Sequence, residues 1–272
     1  MKRLLSIKEF SDISGIETTT LRYWDDIGLF SPAMRNPETN YRYYSTPQLI
    51  PLNFITVLSD IDVSLKTIGE LANERDPEAF IQLIDHQEKL LNMEMRKLRV
   101  SYAIIHARRE LISYGLRVEN ADKITVMTKE ETPLIIGPRN VYEEGETFKD
   151  ALASLVKKAK EMRMNLSYPV GGYHESLESF ISRPDQPDHF FSLDPTGTSL
   201  INSGDYVVGY TSGDYGEFGD LPERIAAYLK ESNLKPSGPV YTQYLLDEIC
   251  IKNPSQYLAQ SFVSTMKKRK SR

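Results

Sequence analysis

The chain begins with two short helical patterns separated by a glycine. Ile7, Phe10 and Ile13 recur at the spacing of one helix face, and Gly15 interrupts the pattern. A second pattern of the same period follows over residues 18–27. Two short helices joined by a tight, glycine-containing turn predict a helix-turn-helix.

The second of these helices has two chemically different faces. One face carries Thr20, Leu21, Trp24 and Ile27, and the other carries Thr19, Arg22, Tyr23 and Asp26. We expect Trp24, the only tryptophan of the chain, to pack inward. Arg22 and Tyr23 then point outward, where an arginine can reach a guanine edge or a phosphate and a tyrosine a phosphate oxygen. Asp25 and Asp26 cannot contact phosphates, and we expect them to pair with nearby basic residues or to be solvated.

A β-prone segment follows the two helices. The turn-rich RNPETN precedes the aromatic run YRYYS, and this order predicts a small hairpin, or wing, beside the second helix. A third helix is expected from about Pro47, with Pro51 distorting its first turns. Ser64 is the expected cap of a fourth helix.

A heptad pattern occupies the next segment of the chain. Asp76 and Pro77 are typical of a helix start. Apolar residues then recur every seven positions, at Ile84, Leu91, Leu98, Ile105 and Ile112. A helix that runs to about Tyr114 and is ended by Gly115 would be roughly 55 Å long. This pattern predicts a coiled coil through which two copies of the chain dimerise, and a core helix of a bundle is the alternative.

From about residue 120 the pattern changes to β-prone and aromatic segments that contain a faint duplication. The layouts that begin at ETPLIIGP and at GDYVVGYT are alike: a strand, an acidic glycine-bearing loop, an amphipathic helix and further strands. The stretch GGYHESLESF belongs to the first copy and is interpreted as a strand. Two such β-α-β-β units facing each other predict a curved sheet with helices on one side and a concavity on the other.

These patterns predict an α+β protein with three parts. A winged helix-turn-helix for DNA binding occupies residues 1–75, a coiled-coil dimerisation helix occupies 76–118, and a duplicated β-α-β-β domain for small-molecule binding occupies 119–272. The basic terminal segment MKKRKSR is typical of a solvated chain end.

Charge and composition narrow the possible functions. The net charge of -5 argues against nucleic-acid binding by bulk attraction, and residues 1–50 hold six basic and six acidic side chains. DNA binding must therefore come from the placement of charges, in a dimer that doubles the contacts. The single cysteine and the spacing of the four histidines predict neither a disulfide nor a metal or cofactor site. Since the chain has no long apolar run, we expect a cytoplasmic protein without a membrane partner.

Residues 4–114 resemble the N-terminal half of MerR-family transcription activators. The resemblance rests on LSIKEF, TLRYWDDIGLF and NYRYYS, followed by the long helix. It implies a homodimer, held by an antiparallel coiled coil, that binds double-stranded promoter DNA whose two polymerase-recognition elements lie too far apart. Effector binding would then twist and kink this DNA so that RNA polymerase can use it. By residue, the resemblance carries DNA contact to Thr19, Arg22, Tyr23, Tyr41, Arg42, Tyr43 and Lys66.

The remainder of the chain resembles the GyrI-like effector domains of multidrug-responsive members of this family. Aromatic residues are dense there, and stacking and cation–π attraction suit aromatic or lipophilic effectors, cations among them. The candidate ligand-binding residues are Tyr142, Tyr173, Glu175, Phe191, Tyr210, Tyr215, Thr242, Tyr244 and Tyr257. Relatives carry a pocket glutamate where this chain has Thr242. The candidates to replace it are Glu175, Glu178, Asp247 and Glu248; otherwise the ligand is neutral.

The resemblance implies a regulator of efflux or drug-resistance genes rather than an enzyme. Two alternatives belong to other functional classes. In the first, a GyrI-like hydrolase of a reactive small molecule is fused to the DNA-binding domain, with Glu175 or Glu178 as the base that activates water. In the second, the chain is a repressor whose C-terminal domain no longer binds a ligand, and the absence of the pocket glutamate favours this alternative.

Overall fold

The structure is a computed structural model that describes residues 4–74, 76–161 and 164–267. Most of the basic terminal segment, residues 268–272, lies outside the described residues. The chain forms two compact units, Met1–Lys97 and Leu98–Arg272, and the border between them falls inside one long helix. The division into three parts at residues 75 and 118 stays a prediction.

The predicted helix-turn-helix opens the N-terminal unit. Helix α1 (Ile7–Ser14) begins with a capping box, in which the Ser6 hydroxyl accepts the Glu9 N–H at 3.2 Å. Gly15 ends α1 in the left-handed conformation, with φ of 74°, which a residue with a side chain rarely adopts. Helix α2 (Thr18–Asp26) follows after a short turn.

The wing is part of a three-stranded antiparallel sheet. Strands β2 (Met34–Arg35) and β3 (Arg42–Ser45) form the predicted hairpin. The sequence pattern did not indicate β1 (Leu4–Ser6), which pairs with the other edge of β3 and places Leu5 opposite Tyr44. Since β3 lies between the other two strands, the wing is tied to the residues that lead directly into α1.

Two further helices complete the N-terminal unit before the long one. Helix α3 (Leu49–Asp60) is preceded by a turn of 3-10 helix, Thr46–Gln48. Pro51 therefore lies in the first turn of α3, where a backbone N–H has no acceptor within the helix, and the chain tolerates it there. Helix α4 (Leu65–Glu74) is capped by Ser64, as predicted.

Helix α5 (Pro77–Gly115) has 39 residues, which corresponds to about 58 Å. It begins at the predicted Asp-Pro pair and ends at the predicted glycine. Four of the five heptad positions are exposed in the single chain, with 60% of Leu98 and 69% of Ile105 accessible to solvent, and Ile112 is half-buried. No helix in the described ranges of the chain has the apolar length needed to cross a bilayer.

The C-terminal unit is built on one eight-stranded sheet in which all neighbours are antiparallel. Its order is β4-β9-β11-β10-β6-β7-β5-β8. The strands are β4 (Thr125–Lys129), β5 (Thr132–Arg139), β6 (Val170–His174), β7 (His189–Ser192), β8 (Ser199–Ile201), β9 (Gly204–Ser212), β10 (Leu234–Leu246) and β11 (Leu258–Lys267).

The predicted duplication is confirmed by the strand order. The first copy is β5-α6-β6-β7, with α6 spanning Phe148–Lys158. The second copy is β9-α8-β10-β11, and its helix α8 spans Leu221–Glu231. Within the sheet, β9-β11-β10 mirrors β5-β7-β6, and the two copies meet where β10 pairs with β6. Strands β4 and β8 are additions at the two edges.

One element of the first copy differs from the prediction. The stretch GGYHESLESF was interpreted as a strand throughout, but only its first four residues, 171–174, belong to β6. Residues Leu177–Ser182 form helix α7, because the Ser176 side chain caps it by accepting the Ser179 N–H at 3.1 Å. Glu178 therefore lies on a helix and not on the sheet.

Each face of the sheet has its own apolar core. The helical face, covered by α6, α7 and α8, buries Phe148, Phe180, Val207, Leu221, Ile225, Val240 and Val263. The opposite face buries Leu134, Phe191, Tyr206, Val208, Tyr241 and Phe262 and packs against the last turns of α5. The predicted alternation along β10 is confirmed, since Tyr244 belongs to the helical face and Tyr241 to the opposite one.

A buried histidine on β6 makes the stability of this unit dependent on pH. His174 is fully buried, its Nε2 lies 3.2 Å from the carbonyl oxygen of Arg183, and within the described chain its Nδ1 has no hydrogen-bond partner. Burial lowers the pKa of His174 from 6.5 to about 4. Between these two values the unfolded chain binds a proton that the folded one does not, so stability is lost as the pH falls.

Because of this histidine, we expect the free energy of unfolding to fall by about 3 kcal/mol from neutral pH to pH ~4. The measurement is urea unfolding followed by circular dichroism at several pH values, for the wild type and for His174→Gln. The variant should have a flatter pH dependence over this window. The Asp188 carboxylate is buried, yet hydrogen bonds that it accepts from the Glu175 N–H and the Ser179 hydroxyl lower its pKa. The stability that this carboxylate contributes is therefore lost at a lower pH than that contributed by neutral His174. Equal slopes for the two proteins would contradict the assignment.

Candidate DNA interface and effector pocket

Helix α2 presents two faces, largely as predicted. Leu21 and Trp24 are buried in the N-terminal core, whereas Arg22 and Tyr23 are exposed. Thr19 lies on the exposed face with them. Ile27 was expected on the inward face but is exposed: it is the C-cap residue of α2 and lines a surface cleft with Tyr23.

Three stacked aromatic rings connect the wing to α1 and to the loop after α2. Phe10 of α1 stacks on Tyr44 of β3 with ring centroids 4.7 Å apart, and Phe30 stacks on Tyr44 at 5.7 Å. Burial raises the pKa of Tyr44 to about 12. The stack joins the first helix, the loop after α2 and the central strand of the small sheet into one apolar core.

A shared aspartate connects the wing to α2. The side chain of Asp25 is only 2% exposed, and its Oδ2 accepts hydrogen bonds from Arg35 at 2.6 Å and from Nε of Arg42. A second nitrogen of Arg42, Nη2, donates to Asp26 at 2.8 Å. Of the two alternatives expected for these aspartates, pairing with basic residues holds for both, while Asp26 is also solvated, with 65% of its side chain exposed. One arginine comes from β2 and the other from β3, so both strands of the hairpin are fixed to α2.

Arg42 is thus a structural ion-pair partner as well as a predicted phosphate contact. The hydrogen bond to Asp25 raises the pKa of Arg42 above its usual value. Nε and one hydrogen of Nη2 donate to carboxylates, so these two N–H groups are not the ones that could reach a phosphate. Its neighbours on the wing, Tyr41 and Tyr43, have ring centroids 5.3 Å apart, and Tyr41 is exposed.

Tyr23 and Lys66 line the same surface cleft. The cleft, of about 420 Å³, lies between the end of α2 and the start of α4. Lys66 is exposed, and its ammonium group is 3.7 Å from Glu70. The structure therefore brings the predicted contact on α4 next to α2, although Tyr23 and Lys66 are 43 positions apart in the chain.

The C-terminal unit has a cavity of about 200 Å³ beside α6 on the helical face of the sheet. Aromatic rings, aliphatic side chains and two carboxylates form its wall. The lining residues are Arg108, Phe148, Leu152, Val156, Leu166, Val170, Tyr215, Tyr244, Asp247, Glu248 and Ile249. This cavity, which we name the effector pocket, combines flat apolar surfaces with negative charge.

Tyr215 is at the centre of the aromatic part of the effector pocket. Its ring lies almost parallel to that of Phe148, with centroids 5.8 Å apart, and makes edge contacts with Tyr244 at 4.5 Å and Tyr257 at 5.6 Å. Its hydroxyl donates to Glu248. Burial and this carboxylate raise the pKa of Tyr215. Tyr244 is fixed by its own hydroxyl, which accepts the Gly216 N–H at 2.8 Å.

The carboxylates of the pocket are held by different partners. Asp247 Oδ2 accepts a hydrogen bond from Nη1 of Arg108 at 2.8 Å. The side chain of Asp247 is 9% exposed and that of Arg108 is 26% exposed. Glu248 is held by the hydroxyl of Tyr215. A desolvated carboxylate beside aromatic rings is a site that favours a flat organic cation.

The other two carboxylates considered from the sequence lie elsewhere. Glu175 follows β6 and pairs with Arg139 at 3.0 Å and with His189 at 3.5 Å. Glu178 is exposed on α7. Neither lines the effector pocket, so neither is placed to activate water there.

The predicted ligand-binding residues are divided between the two faces of the sheet. Tyr142, Tyr215, Thr242, Tyr244 and Tyr257 belong to the helical face. Tyr173, Phe191 and Tyr210 belong to the opposite face. The structure does not bring the second group to the effector pocket, because successive residues of a strand alternate between faces.

Thr242, Tyr142 and Tyr257 are on the helical face but outside the effector pocket's lining. Thr242 is fully buried, and its hydroxyl donates to the carbonyl oxygen of Gly172 at 3.3 Å. A Cβ on Gly172 would lie 2.6 Å from that hydroxyl, so the strands are in close contact there. The Tyr142 hydroxyl donates to the carbonyl oxygen of Pro187 at 2.8 Å.

The match to a known protein family falls within the N-terminal unit. Residues 5–75 match the model of the MerR HTH family regulatory proteins. The N-terminal unit contains a MerR-family helix-turn-helix domain. Within it lie α1 and α2, the wing, α3 and α4, and all seven residues predicted to contact DNA.

Three relatives extend the comparison beyond the MerR-family domain. The Multidrug-efflux transporter 2 regulator of Bacillus subtilis is 23% identical over 256 residues, which are 92% of each chain. The Multidrug-efflux transporter 1 regulator of the same organism is 30% identical over 142 residues, 50% of this chain and 51% of that protein. The Transcriptional regulator BrlR of Pseudomonas aeruginosa is 34% identical over 95 residues, 34% and 35% of the two chains. All three relatives are regulators by name, two of them regulators of multidrug-efflux transporters.

Seven of the eleven lining residues of the effector pocket were not identified from the sequence, Arg108 and Phe148 among them. Arg108 belongs to the heptad helix and is 139 positions from Asp247, so no local pattern links them. Phe148 had a detectable signal, because it starts an amphipathic helix whose Ala151 and Leu155 follow at i+3 and i+7.

Proposed function

We propose that the chain is a ligand-responsive, dimeric transcription activator that senses aromatic or lipophilic cations. One observation carries the proposal: a MerR-family DNA-binding domain shares its chain with an aromatic pocket that contains two carboxylates. The similarity to regulators of multidrug-efflux transporters supports efflux or drug-resistance genes as targets.

DNA recognition is assigned to the exposed side of α2, the wing and the start of α4. Arg22 and Tyr23 read or grip the major groove with Thr19, while Tyr41, Arg42 and Tyr43 contact flanking phosphates. Lys66 adds a phosphate contact beside Tyr23. The proposed target is a promoter with an over-long spacer, which the effector-bound dimer distorts for RNA polymerase.

Dimerisation is assigned to the heptad stripe of α5, within residues 76–118. Leu91, Leu98 and Ile105 are exposed in a single chain, and an exposed apolar stripe of this period is covered by a second helix in coiled coils. Two copies would double the phosphate contacts, which a chain with a net charge of -5 requires.

Effector binding is assigned to Phe148, Tyr215, Asp247 and Glu248. The two carboxylates take the place of the glutamate that is absent at Thr242, and the stacked rings supply a flat contact surface. We therefore expect a flat cation to stabilise the protein more than a neutral molecule of similar shape.

Thermal unfolding with 1-methylquinolinium, a flat aromatic cation, and with quinoline, its neutral analogue at neutral pH, tests the pocket. The cation should raise the melting temperature and the neutral compound should have a smaller effect. Glu248→Gln, which keeps the shape of the side chain, should weaken cation binding about tenfold. Glu178→Gln is the matched control, since this carboxylate lies on α7 away from the pocket. Equal stabilisation by both compounds would show that the pocket does not select for charge.

DNase footprinting on the region upstream of the chain's own gene tests the DNA-binding half. We expect protection by the wild type at nanomolar to micromolar concentration and its loss in Arg22→Ala. In vitro transcription from that promoter with and without the cation then distinguishes an activator from a ligand-independent repressor. Absence of protection by the wild type on this region would exclude it as the target.

A further inference from the structure

The effector pocket already contains a cation in the structure, and that cation belongs to α5. The guanidinium of Arg108 lines the pocket and donates to Asp247 at 2.8 Å. Asp247 is nearly inaccessible to solvent, so its charge needs a positive partner at close range. Arg108 is more exposed than Asp247 and can turn towards solvent without crossing the core.

We infer that Arg108 occupies the cation subsite when no effector is bound, and that a cationic effector binds by replacing its guanidinium at Asp247. The inference rests on the proposed function and adds its mechanism of regulation: pocket occupancy decides whether α5 is held by this ion pair. The Asp247 carboxylate cannot make a close ion pair with both cations at once, so Arg108 and the effector exclude each other at this residue, while Glu248 faces the pocket in both states.

The size of the pocket supports this exchange. Its volume of about 200 Å³ is below the range of roughly 300–1,000 Å³ that is typical of sites for drug-sized ligands. Since Arg108 forms one part of the wall, movement of its side chain both frees the carboxylate and enlarges the space. The rings of Phe148 and Tyr215 then remain as the flat surface on which the ligand lies.

The last turn of α5 is attached to the sheet independently of Arg108. The hydroxyl of Tyr114 bonds to that of Tyr210 and accepts from Nε2 of Gln260 at 3.1 Å. A Cβ on Gly115 would lie 2.9 Å from Leu246, so the backbone there is in close contact with β10. Release of Arg108 therefore loosens the part of α5 that precedes Tyr114, while the attachment at Tyr114 and Gly115 persists.

Binding of 1-methylquinolinium to the full-length chain tests the exchange. Arg108→Met removes the resident cation, and we expect it to bind the probe at least about tenfold more tightly than the wild type. Quinoline, which has no charge to compensate, should show no such gain. Arg109→Met is the matched control, because Arg109 is 67% exposed, pairs with Glu110 and does not line the pocket. Arg108→Gln, which keeps a hydrogen-bond donor without the charge, gives a second comparison if the methionine variant folds poorly.

Hydrogen–deuterium exchange of α5 gives a readout that does not depend on affinity. In the wild type, the cation should increase amide exchange in residues 98–111, and in Arg108→Met exchange should be raised already without it. Unchanged or weaker cation binding in both Arg108 variants would overturn the inference while leaving the proposed sensing intact. If the wild type binds neither probe, the proposed sensing fails at this pocket and the inference falls with it.

Discussion

Leu98→Glu combined with Ile105→Glu is expected to give a monomeric protein that binds promoter DNA at least about 100-fold more weakly than the wild type. Both positions lie on the heptad stripe of α5 and are exposed in the single chain. The two carboxylates therefore leave the fold of one chain intact. In a coiled coil, however, they would be buried without partners at its apolar seam. Loss of the dimer removes half of the phosphate contacts.

Sedimentation velocity gives the oligomeric state of this variant, and fluorescence anisotropy with labelled promoter DNA gives its affinity. Met93→Glu with Val100→Glu is the matched control. These two residues are also exposed, apolar and seven positions apart on α5, but they lie outside the stripe. We expect the control to remain dimeric. A dimer in the stripe variant, or a monomer in the control, would contradict the assignment of the interface.

Asp25→Ala is expected to destabilise the N-terminal unit by about 2–4 kcal/mol and to weaken DNA binding about tenfold or more. The buried carboxylate of Asp25 is shared by Arg35 and Arg42, so its removal leaves two guanidinium groups close together, with the carboxylate of Asp26 on Arg42 and the side-chain oxygen of Asn40 on Arg35 as acceptors. The wing would lose its buried attachment to α2 and keep only the partly exposed ion pair with Asp26, so its tyrosines would be held less firmly beside α2.

Trp24 provides the measurement for this variant. It is the only tryptophan, it is buried, and it precedes Asp25 in α2, so its fluorescence during urea unfolding reports the N-terminal unit alone. Asp26→Ala is the control: this carboxylate is 65% exposed and makes one ion pair, which contributes about 0–1 kcal/mol. Similar unfolding free energies for the two variants would show that Asp25 does not hold the wing.

The wing illustrates how far the sequence could predict the candidate DNA interface. The turn signal and aromatic run predicted the hairpin, and helical periodicity placed Arg22 outward and Trp24 inward. Strand β1 was missed, because three residues next to a helix cap carry no alternation long enough to detect. That Asp25 accepts from both wing arginines was also not deducible, since the carboxylate and its partners are 10 and 17 positions apart.

The effector pocket shows the same limit more strongly. The duplication in the chain predicted the mirrored strand order, and alternation along β10 separated Tyr241 from Tyr244. Yet Tyr173, Phe191 and Tyr210 were grouped with residues on the other side of the sheet. Sequence alternation assigns faces within one strand, but only the pairing register relates the faces of different strands.

The sequence by itself determined the elements of this protein: the capped helices, the hairpin, the 39-residue helix with its heptads and the duplicated β-α-β-β layout. Each of these depends on interactions between residues a few positions apart, or on a periodicity that one segment shows alone. The tertiary structure decided which charges meet. Arg108 and Asp247, and Asp25 with its two arginines, are brought together by packing of separate elements. A buried ion pair has no local signature, because each partner alone is indistinguishable from an exposed charge until the fold removes it from water.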